Sequence, residues 1–465
     1  MDVRGITADS RRVEPGFLFA ALPGARADGR DFIGDAVARG ACAVLAPPGT
    51  HWPPGVPPRP LIEDRRPRRR LAQIAALLAG PQPETIVAVT GTNGKTSTVE
   101  FARQLWALAG RRAASLGTLG LLGCGLNGDA GLTTPDPVQL ADTLARLAAL
   151  GVDRVAMEAS SHGLDQYRLD GVRLSAGAFT SFTRDHLDYH GTFASYRDAK
   201  LRLFTELLPS GSPVVASTAL DGETIARLRG VAASRALSFR TVGESGDDLA
   251  LVAVRPLPDG QVLRVRADGV ARDIALRLPG RFQADNVLVA AALARATGVS
   301  EALALLPELS GVRGRMELAA RLPNGAAAYV DYAHTPDALE RLLVALRPHT
   351  AGRLHVVFGA GGDRDRGKRP LMGEAAARFA DRVIVTDDNP RSEPPHAIRA
   401  AVLAGCPDAR EIGGREAAIA AALNDLQPGD VLAVAGKGHE QGQIVGDQVL
   451  PFDDVSVIRA LVGSG

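Results

Sequence analysis

The sequence predicts an α/β protein built from successive parallel-sheet domains. Three observations carry that expectation. From Thr85 onward, short apolar, β-branched runs alternate with helical stretches across glycine turns, the pattern of a parallel sheet with helices on both faces. Nearly every polar cluster directly follows one of these runs, where open α/β sheets bind ligands. The 465 residues exceed one ordinary core and point to about three domains.

Residues 1–81 read as a small α/β unit. Asp31–Arg39 has helical spacing and Ala41–Ala46 is a short apolar strand. A Pro-rich stretch, Pro47–Pro60, follows, and the basic run Arg65–Arg70 opens an Ala/Leu-rich helix. Gly80–Pro83 reads as a linker. The second domain, 82–311, takes the candidate strands Thr85–Val89, Arg154–Glu158, Ala176–Phe182 and Pro213–Ser217. The third, 312–465, takes Ala327–Tyr332, Leu354–Gly359, Arg382–Thr386 and Val431–Ala435. Between them an Ala-rich helix gives way to a break near Leu306–Arg313. The strand-end clusters are GTNGKT, EASSH, TRDHLDYH, DYAHTPD, GAGGDRDRGKR, DDNPRSE and GKGHE. Their spread over two domains implies two sheets whose functional edges face a common cleft.

Composition narrows the function. Charges nearly cancel, 53 Lys+Arg against 52 Asp+Glu, so no long-range field draws the chain to nucleic acid or an anionic membrane. The basic run then reads as a solvated helix face. Cys42, Cys124 and Cys406 are distant and odd in number, which argues against a disulfide framework or structural zinc and suits a reducing cytosol. The N-terminus MDVRGITADSRR has no apolar leader, and no run reaches the ~18 apolar residues of a spanning helix. A cytoplasmic protein without membrane or nucleic-acid partners is expected.

The chemistry starts at Thr90–Thr96. Glycines between a strand and a helix let backbone N–H groups close on phosphates, Lys95 can reach the terminal phosphates, and Thr96 can ligate Mg²⁺. The helix N-terminus adds partial positive charge. Val89 stands where the strict phosphate-loop spacing has glycine. Glu158 ends an apolar strand, a common place for a Mg²⁺ carboxylate. Ser160-Ser161-His162 looks like a nucleophile with a base, but no nucleophile elbow surrounds it. Asp185–His190 is dense in ligand-type side chains; zinc is one reading, phosphate-bound Mg²⁺ the better one beside such a loop. Taken by itself, Lys200 reads as a snorkelling surface lysine on a helix through Tyr196–Phe204.

Taken together, these strings resemble the Mur ligases of peptidoglycan synthesis. The resemblance runs from ADSRR (Ala8–Arg12) through TGTNGKTS (Thr90–Ser97), TTPD (Thr133–Asp136), MEASSHGLDQYR (Met157–Arg168) and SFTRDHLDYHG (Ser181–Gly191). It continues through YRDAKLRLF (Tyr196–Phe204), GRFQADN (Gly280–Asn286), GRME (Gly314–Glu317) and DYAHTPDALE (Asp331–Glu340). GGDRDRGKRPLM (Gly361–Met372), DDNPRSE (Asp387–Glu393) and GKGHE (Gly436–Glu440) complete it. DNPR looks like the signature of members that add meso-diaminopimelate.

The resemblance implies an N-terminal UDP-binding unit, a central ATPase domain with the phosphate loop, and a Rossmann-like C-terminal domain. It implies a monomeric, ATP- and Mg²⁺-dependent ligase that extends UDP-N-acetylmuramoyl-L-alanyl-D-glutamate, supplying the cell wall on which shape and division depend. For ATP it implies Gly91, Thr92, Asn93, Gly94, Lys95, Thr96 and Ser97, with Asn286, Arg315, Asp331 and His334. For the metal it implies Thr96, Glu158, His186 and Lys200, the last carbamylated by CO₂ into an anion. Lys95, His186, Lys200 and Arg315 would be the catalytic set. Ser10, Thr133, Thr134, Ser160, Gln166 and Arg168 would hold the UDP-sugar peptide. Arg364, Asp388, Asn389, Pro390, Arg391, Gly436 and Glu440 would hold the amino acid. Two departures stand out. Gln283 replaces an Asn of the family pattern, and the loop GARAD (Gly24–Asp28) shares little side-chain chemistry with the uracil-binding stretch it aligns with.

Two rivals remain. A folylpolyglutamate-synthetase-like ligase would share the ATP chemistry but take a pterin; the N-terminal unit and DNPR argue against it. A nucleotide switch would need no motifs in a second domain.

Overall fold

The computed structural model describes residues 2–24, 27–128, 131–257 and 260–463. Ala25 and Arg26 of the GARAD loop therefore lie outside the described residues. The fold is α/β with parallel sheets, as the sequence predicts. The chain forms two compact units, residues up to Ala250 with Leu288–Ala302, and Leu251–Val287 with Leu303 onward.

In the first unit, Gly5–Thr7, Phe17–Ala20, Ala43–Ala46 and Leu61–Glu63 form a four-stranded parallel sheet in sequential order. Helix Pro67–Ala79 buries Leu71, Ala72 and Ala75. The stretch Asp31–Arg39 is less regular than its spacing predicts: a tight turn, Gly29–Phe32, capped by Asp28, leads into the helix Ile33–Ala38.

The larger sheet of this unit runs Ser238–Gly243, Pro213–Ser217, Ala176–Phe179, Thr85–Thr90, Arg154–Glu158, Ala113–Gly117, all parallel. Two short antiparallel strands, Gly120–Gly123 and Leu126–Asn127, follow. Thr85–Thr90 is buried throughout, which its β-branched TIVAVT composition allows in a strand covered on both faces. Because it lies between Arg154–Glu158 and Ala176–Phe179, the loops leaving these three strands gather at one sheet edge. Helix Pro137–Ala149 starts on a local signal: Asp136 accepts from the amides of Val138 and Gln139, both at 3.1 Å, and Pro137 occupies the first turn. It buries Leu140, Ala141, Leu144 and Leu147, one helical stripe. The expected boundary at residue 81 falls inside this unit. There Gln82 donates to the Gly171 carbonyl at 2.7 Å and Arg69 pairs with Asp170 at 3.1 Å.

In the second unit the sheet order is Glu317–Arg321, Ala327–Asp331, Val431–Ala435, Leu354–Phe358, Arg382–Val385, Arg410–Glu411. All pairs are parallel except the first. Helix Pro336–Leu346 is capped by Thr335 and buries Leu339, Leu342, Leu343 and Leu346 against this sheet's core. Two antiparallel hairpins, Gly260–Ala267 with Val270–Leu276 and Gly442–Val445 with Gln448–Pro451, also belong to this unit. Among the described residues no helix is long and apolar enough to cross a membrane.

Candidate active site

The loop after Thr85–Thr90 turns into helix Lys95–Leu108. Gly91 (φ +149°) lies so close to the Thr180 hydroxyl that a Cβ would collide with it, and Gly94 (φ +85°) swings the chain into the helix. Lys95 Nζ donates to the Gly91 and Thr92 carbonyls, each at 2.9 Å. Lys200 Nζ donates to the same Gly91 carbonyl at 2.7 Å. Two lysines thus converge on one phosphate-loop oxygen. Thr92 Oγ1 meets the Tyr196 hydroxyl at 3.1 Å, and Thr180 Oγ1 donates to the Asn93 carbonyl at 2.6 Å. Thr96 and Ser97 are buried in the first helical turn.

Lys200 is not the surface lysine that its helix suggests in isolation. It is 1% exposed, under the loop, with its Nζ 4.6 Å from the Tyr196 ring centroid. Burial first, and then the charge of Lys95, pushes its amine well below the usual lysine range, with Asp185 pulling the other way. The helix spans Phe193–Arg202 and ends in a wider turn, Leu203–Leu207.

Glu158 is buried at its strand end. Its Oε1 accepts from the Thr118 amide at 2.8 Å and its Oε2 from the Thr118 hydroxyl at 3.3 Å. Gly117 leaves it room, since a Cβ there would strike this carboxylate. The Thr118 hydroxyl meets Thr133 Oγ1 at 3.1 Å. Thr134 donates to the Glu158 carbonyl at 2.9 Å and lies 3.1 Å from Ser160 Oγ. Arg168 donates to the Thr134 carbonyl at 2.6 Å and to Gln166 at 2.7 Å. Gln166 reaches the Tyr189 hydroxyl at 3.1 Å. Thr133, Thr134, Ser160, Gln166 and Arg168 therefore form one network around Glu158. Gln166 and Arg168 also line a cavity of about 730 Å³ with Arg4, Asp9, Arg12 and Arg68. Ser10 sits in the turn Ser10–Arg12 between two lining residues but does not line the cavity itself. Arg68 comes from the basic run that composition assigns to solvent.

His186 has a left-handed backbone (φ +50°) and pairs with Asp185 at 3.3 Å. Its ring lies 4.9 Å from that of His162 and 6.1 Å from that of Tyr196. Among the described residues no three His, Cys, Asp or Glu side chains form a ready-made metal cluster. Mg²⁺ commonly takes only one or two protein carboxylates beside phosphate oxygens and water. The Thr96 hydroxyl and the Glu158 carboxylate are the hard oxygen donors it favours, and His186 is the donor least suited to it.

In the second unit, Gln283 links two expected nucleotide residues. It donates to the Arg315 carbonyl at 3.3 Å and accepts from Asn286 at 3.5 Å, so this departure from the family pattern has a bridging role. Arg315 lies over the Tyr332 ring, 4.7 Å from its centroid. Asp331 accepts from the amides of Met316 at 2.7 Å and Ala333 at 2.8 Å. Burial raises its carboxyl, against the pull of Arg315. The exposed His334 ring bonds the Tyr332 carbonyl at 2.8 Å.

The strand-end loops DDNPR and GKGHE meet. Asn389 Nδ2 donates to Glu440 Oε2 at 2.9 Å, while its Oδ1 accepts from Lys437 at 3.0 Å and from the Ile444 amide at 2.9 Å. Gly436 (φ +116°) packs against Asp388, 2.5 Å from where a Cβ would stand. Pro390 is buried. Arg391 (φ +51°) is half-buried, held through its backbone to Ile444 and through Nη1 to the Gly362 carbonyl at 2.9 Å. Arg364 is exposed and donates to the Asp363 carbonyl at 3.2 Å. Sequence reasoning missed Lys437, although it stands inside GKGHE. It also missed the fully buried pair of Arg415 with Asp454, whose guanidinium donates to the Ala435 carbonyl at 2.9 Å just before Gly436.

Comparison with known proteins places this geometry in context. Three family models match in succession: "Mur ligase family, catalytic domain" over residues 2–78, "Mur ligase middle domain" over 89–294, and "Mur ligase, glutamate ligase domain" over 314–438. A Caulobacter vibrioides relative, named UDP-N-acetylmuramoyl-L-alanyl-D-glutamate--2,6-diaminopimelate ligase, is 54% identical over 99% of this chain and 96% of its own. A solved structure of a ligase of the same name superposes with a TM-score of 0.75 at 32% identity, covering 99% of this chain and 95% of that one. A folylpolyglutamate synthase from Mycobacterium tuberculosis superposes with a TM-score of 0.65 at 20% identity, over 86% and 95%; at that identity only the fold is shared.

Proposed function

The chain belongs to the Mur ligase family, and from that premise we propose that it joins meso-diaminopimelate to UDP-N-acetylmuramoyl-L-alanyl-D-glutamate, consuming ATP and releasing ADP and phosphate. One observation carries the reading: a single loop cluster holds a guanidinium, Arg391, and a carboxylate, Glu440. These are the groups that complement the carboxylate and ammonium at the distal end of diaminopimelate.

The sugar peptide's terminal carboxylate attacks the γ-phosphate of ATP, forming an acyl phosphate and ADP. The amine of the incoming amino acid then attacks that carbonyl, and phosphate leaves. Lys95 and Arg315 offset charge on the transferring phosphoryl group, with Gly91–Gly94 and the first helical turn through Thr96 and Ser97 around the phosphates. Asn286, Asp331 and His334 are assigned to the nucleotide. Mg²⁺ held by Thr96, Glu158, His186 and carbamylated Lys200 would neutralise phosphate charge. A buried, pKa-depressed Lys200 amine supports the carbamate, because CO₂ adds only to a neutral amine, which then loses its proton to solvent. Ser10, Thr133, Thr134, Ser160, Gln166 and Arg168 bind the UDP-sugar peptide. Arg364, the Asp388–Arg391 string, Gly436 and Glu440 bind the amino acid, with Arg391 selecting diaminopimelate over lysine.

The functional domains are taken as 1–81, 82–311 and 312–465, acting as a monomer. The substrates, ATP and a nucleotide-linked precursor, put the enzyme in the cytoplasm, where its product feeds wall growth and division. The test is phosphate release. It is expected to require the UDP-sugar peptide and the amino acid together. Release with a pterin substrate, or steady release with neither acceptor, would instead support the folylpolyglutamate-type ligase or the nucleotide switch.

A further inference from the structure

Lys437 is fully buried, 0% exposed, and no expected role accounts for it. A lysine is rarely buried to this degree without specific partners. Its ammonium donates to Asn389 Oδ1 at 3.0 Å and to Glu440 Oε2 at 3.1 Å. Asn389 Nδ2 donates to that same Glu440 oxygen at 2.9 Å. Glu440 Oε2 is therefore held by two donors from below. Its other oxygen, Oε1, has no hydrogen bond among the described residues, and the side chain is 33% exposed. A carboxylate pinned through one oxygen and open at the other is a fixed acceptor for a ligand's ammonium. The Asn389 side chain already bonds Lys437, Glu440 and the Ile444 amide. Asn389 therefore braces Glu440 as well as contributing to the amino-acid site.

We propose that Lys437 is a positioning residue for amino-acid specificity: with Asn389 it fixes Glu440 as an acceptor for the ammonium of the incoming amino acid. This rests on the ligase reading above. Without the buried ammonium, Glu440 loses the ion-pair partner 3.1 Å away and the donor that fixes its rotamer.

The experiment compares wild type, Lys437→Met, Glu440→Gln and the double variant, with KM measured separately for diaminopimelate, ATP and the UDP-sugar peptide. Lys437→Met is expected to raise the KM for diaminopimelate by about thirtyfold, the size associated with truncating one partner of a buried charge pair. The other two KM values should stay within about twofold. The double variant should be no worse than Glu440→Gln alone, because the lysine acts through that carboxylate. An unchanged KM for diaminopimelate, a uniform rise in all three KM values, or additive losses in the double variant would overturn the proposal. Lys437→Gln, which keeps a donor but no charge, is expected to raise the KM for diaminopimelate less than Lys437→Met does. If neither variant folds, the lysine is a support of the fold and the proposal is wrong. Failure of wild type to use diaminopimelate at all would instead defeat the ligase reading.

Discussion

Replacing Lys95 with alanine is expected to lower kcat/KM for ATP by roughly 10²–10³-fold while leaving the fold intact. That is the usual effect of deleting one preorganised group that meets charge developing in the transition state. The lysine's bonds to the Gly91 and Thr92 carbonyls are local and its side chain is only half-buried, so the fold is expected to survive its removal. Lys200 bonds the same Gly91 carbonyl and keeps the loop anchored in the variant. ATP-dependent phosphate release by wild type and variant at matched circular dichroism decides the matter. A folded Lys95→Ala with undiminished turnover would remove the phosphate loop from the mechanism.

Asp454→Ala is expected to destabilise the second unit by about 3–5 kcal/mol, the cost of stranding one member of a buried ion pair. Arg415 and Asp454 are both 0% exposed and meet through two bonds, at 2.7 and 2.8 Å. Removing the carboxylate leaves a guanidinium that cannot discharge and cannot reach water. A double change of Arg415→Met with Asp454→Leu should recover most of the loss, since apolar replacement of both partners is often neutral. Denaturant midpoints measure both variants. A loss under about 1 kcal/mol for Asp454→Ala would mean that the cavity hydrates and the pair is not structural. Because Arg415 also holds the Ala435 carbonyl beside Gly436, weaker diaminopimelate binding should accompany the lost stability.

What was legible in the sequence was local. Arg154–Glu158, Pro213–Ser217 and Val431–Ala435 stand as strands at the expected residues, because short apolar runs between turn signals leave little choice of structure. TTPD and HTPD announce helices through Asp136 and Thr335, whose caps need only the next three residues. Burial set by distant contacts was not legible. Lys200 is covered by a loop 109 residues earlier in the chain, and its helix has no amphipathic stripe that points it inward. The hairpin Gly260–Ala267 with Val270–Leu276 was missed although buried Leu263, Val265 and Ala267 alternate with exposed Arg264 and Arg266. Arg68 looked like one more solvated arginine until helix Pro67–Ala79 carried it to the cavity wall. Lys437 sits between a glycine and another glycine, a context that suggests a flexible loop and gives no hint of the Asn389 and Glu440 oxygens waiting for it.

The most direct measurement of the central claim is a competition. Wild-type enzyme receives ATP, UDP-N-acetylmuramoyl-L-alanyl-D-glutamate, and equal concentrations of meso-diaminopimelate and L-lysine, and the nucleotide product is weighed by mass spectrometry. The account predicts a product heavier by one diaminopimelate residue, with one ADP formed for each, and a loss of that preference in Arg391→Ala. A lysine adduct in comparable amount from wild type, or ADP formed with no adduct, would contradict it.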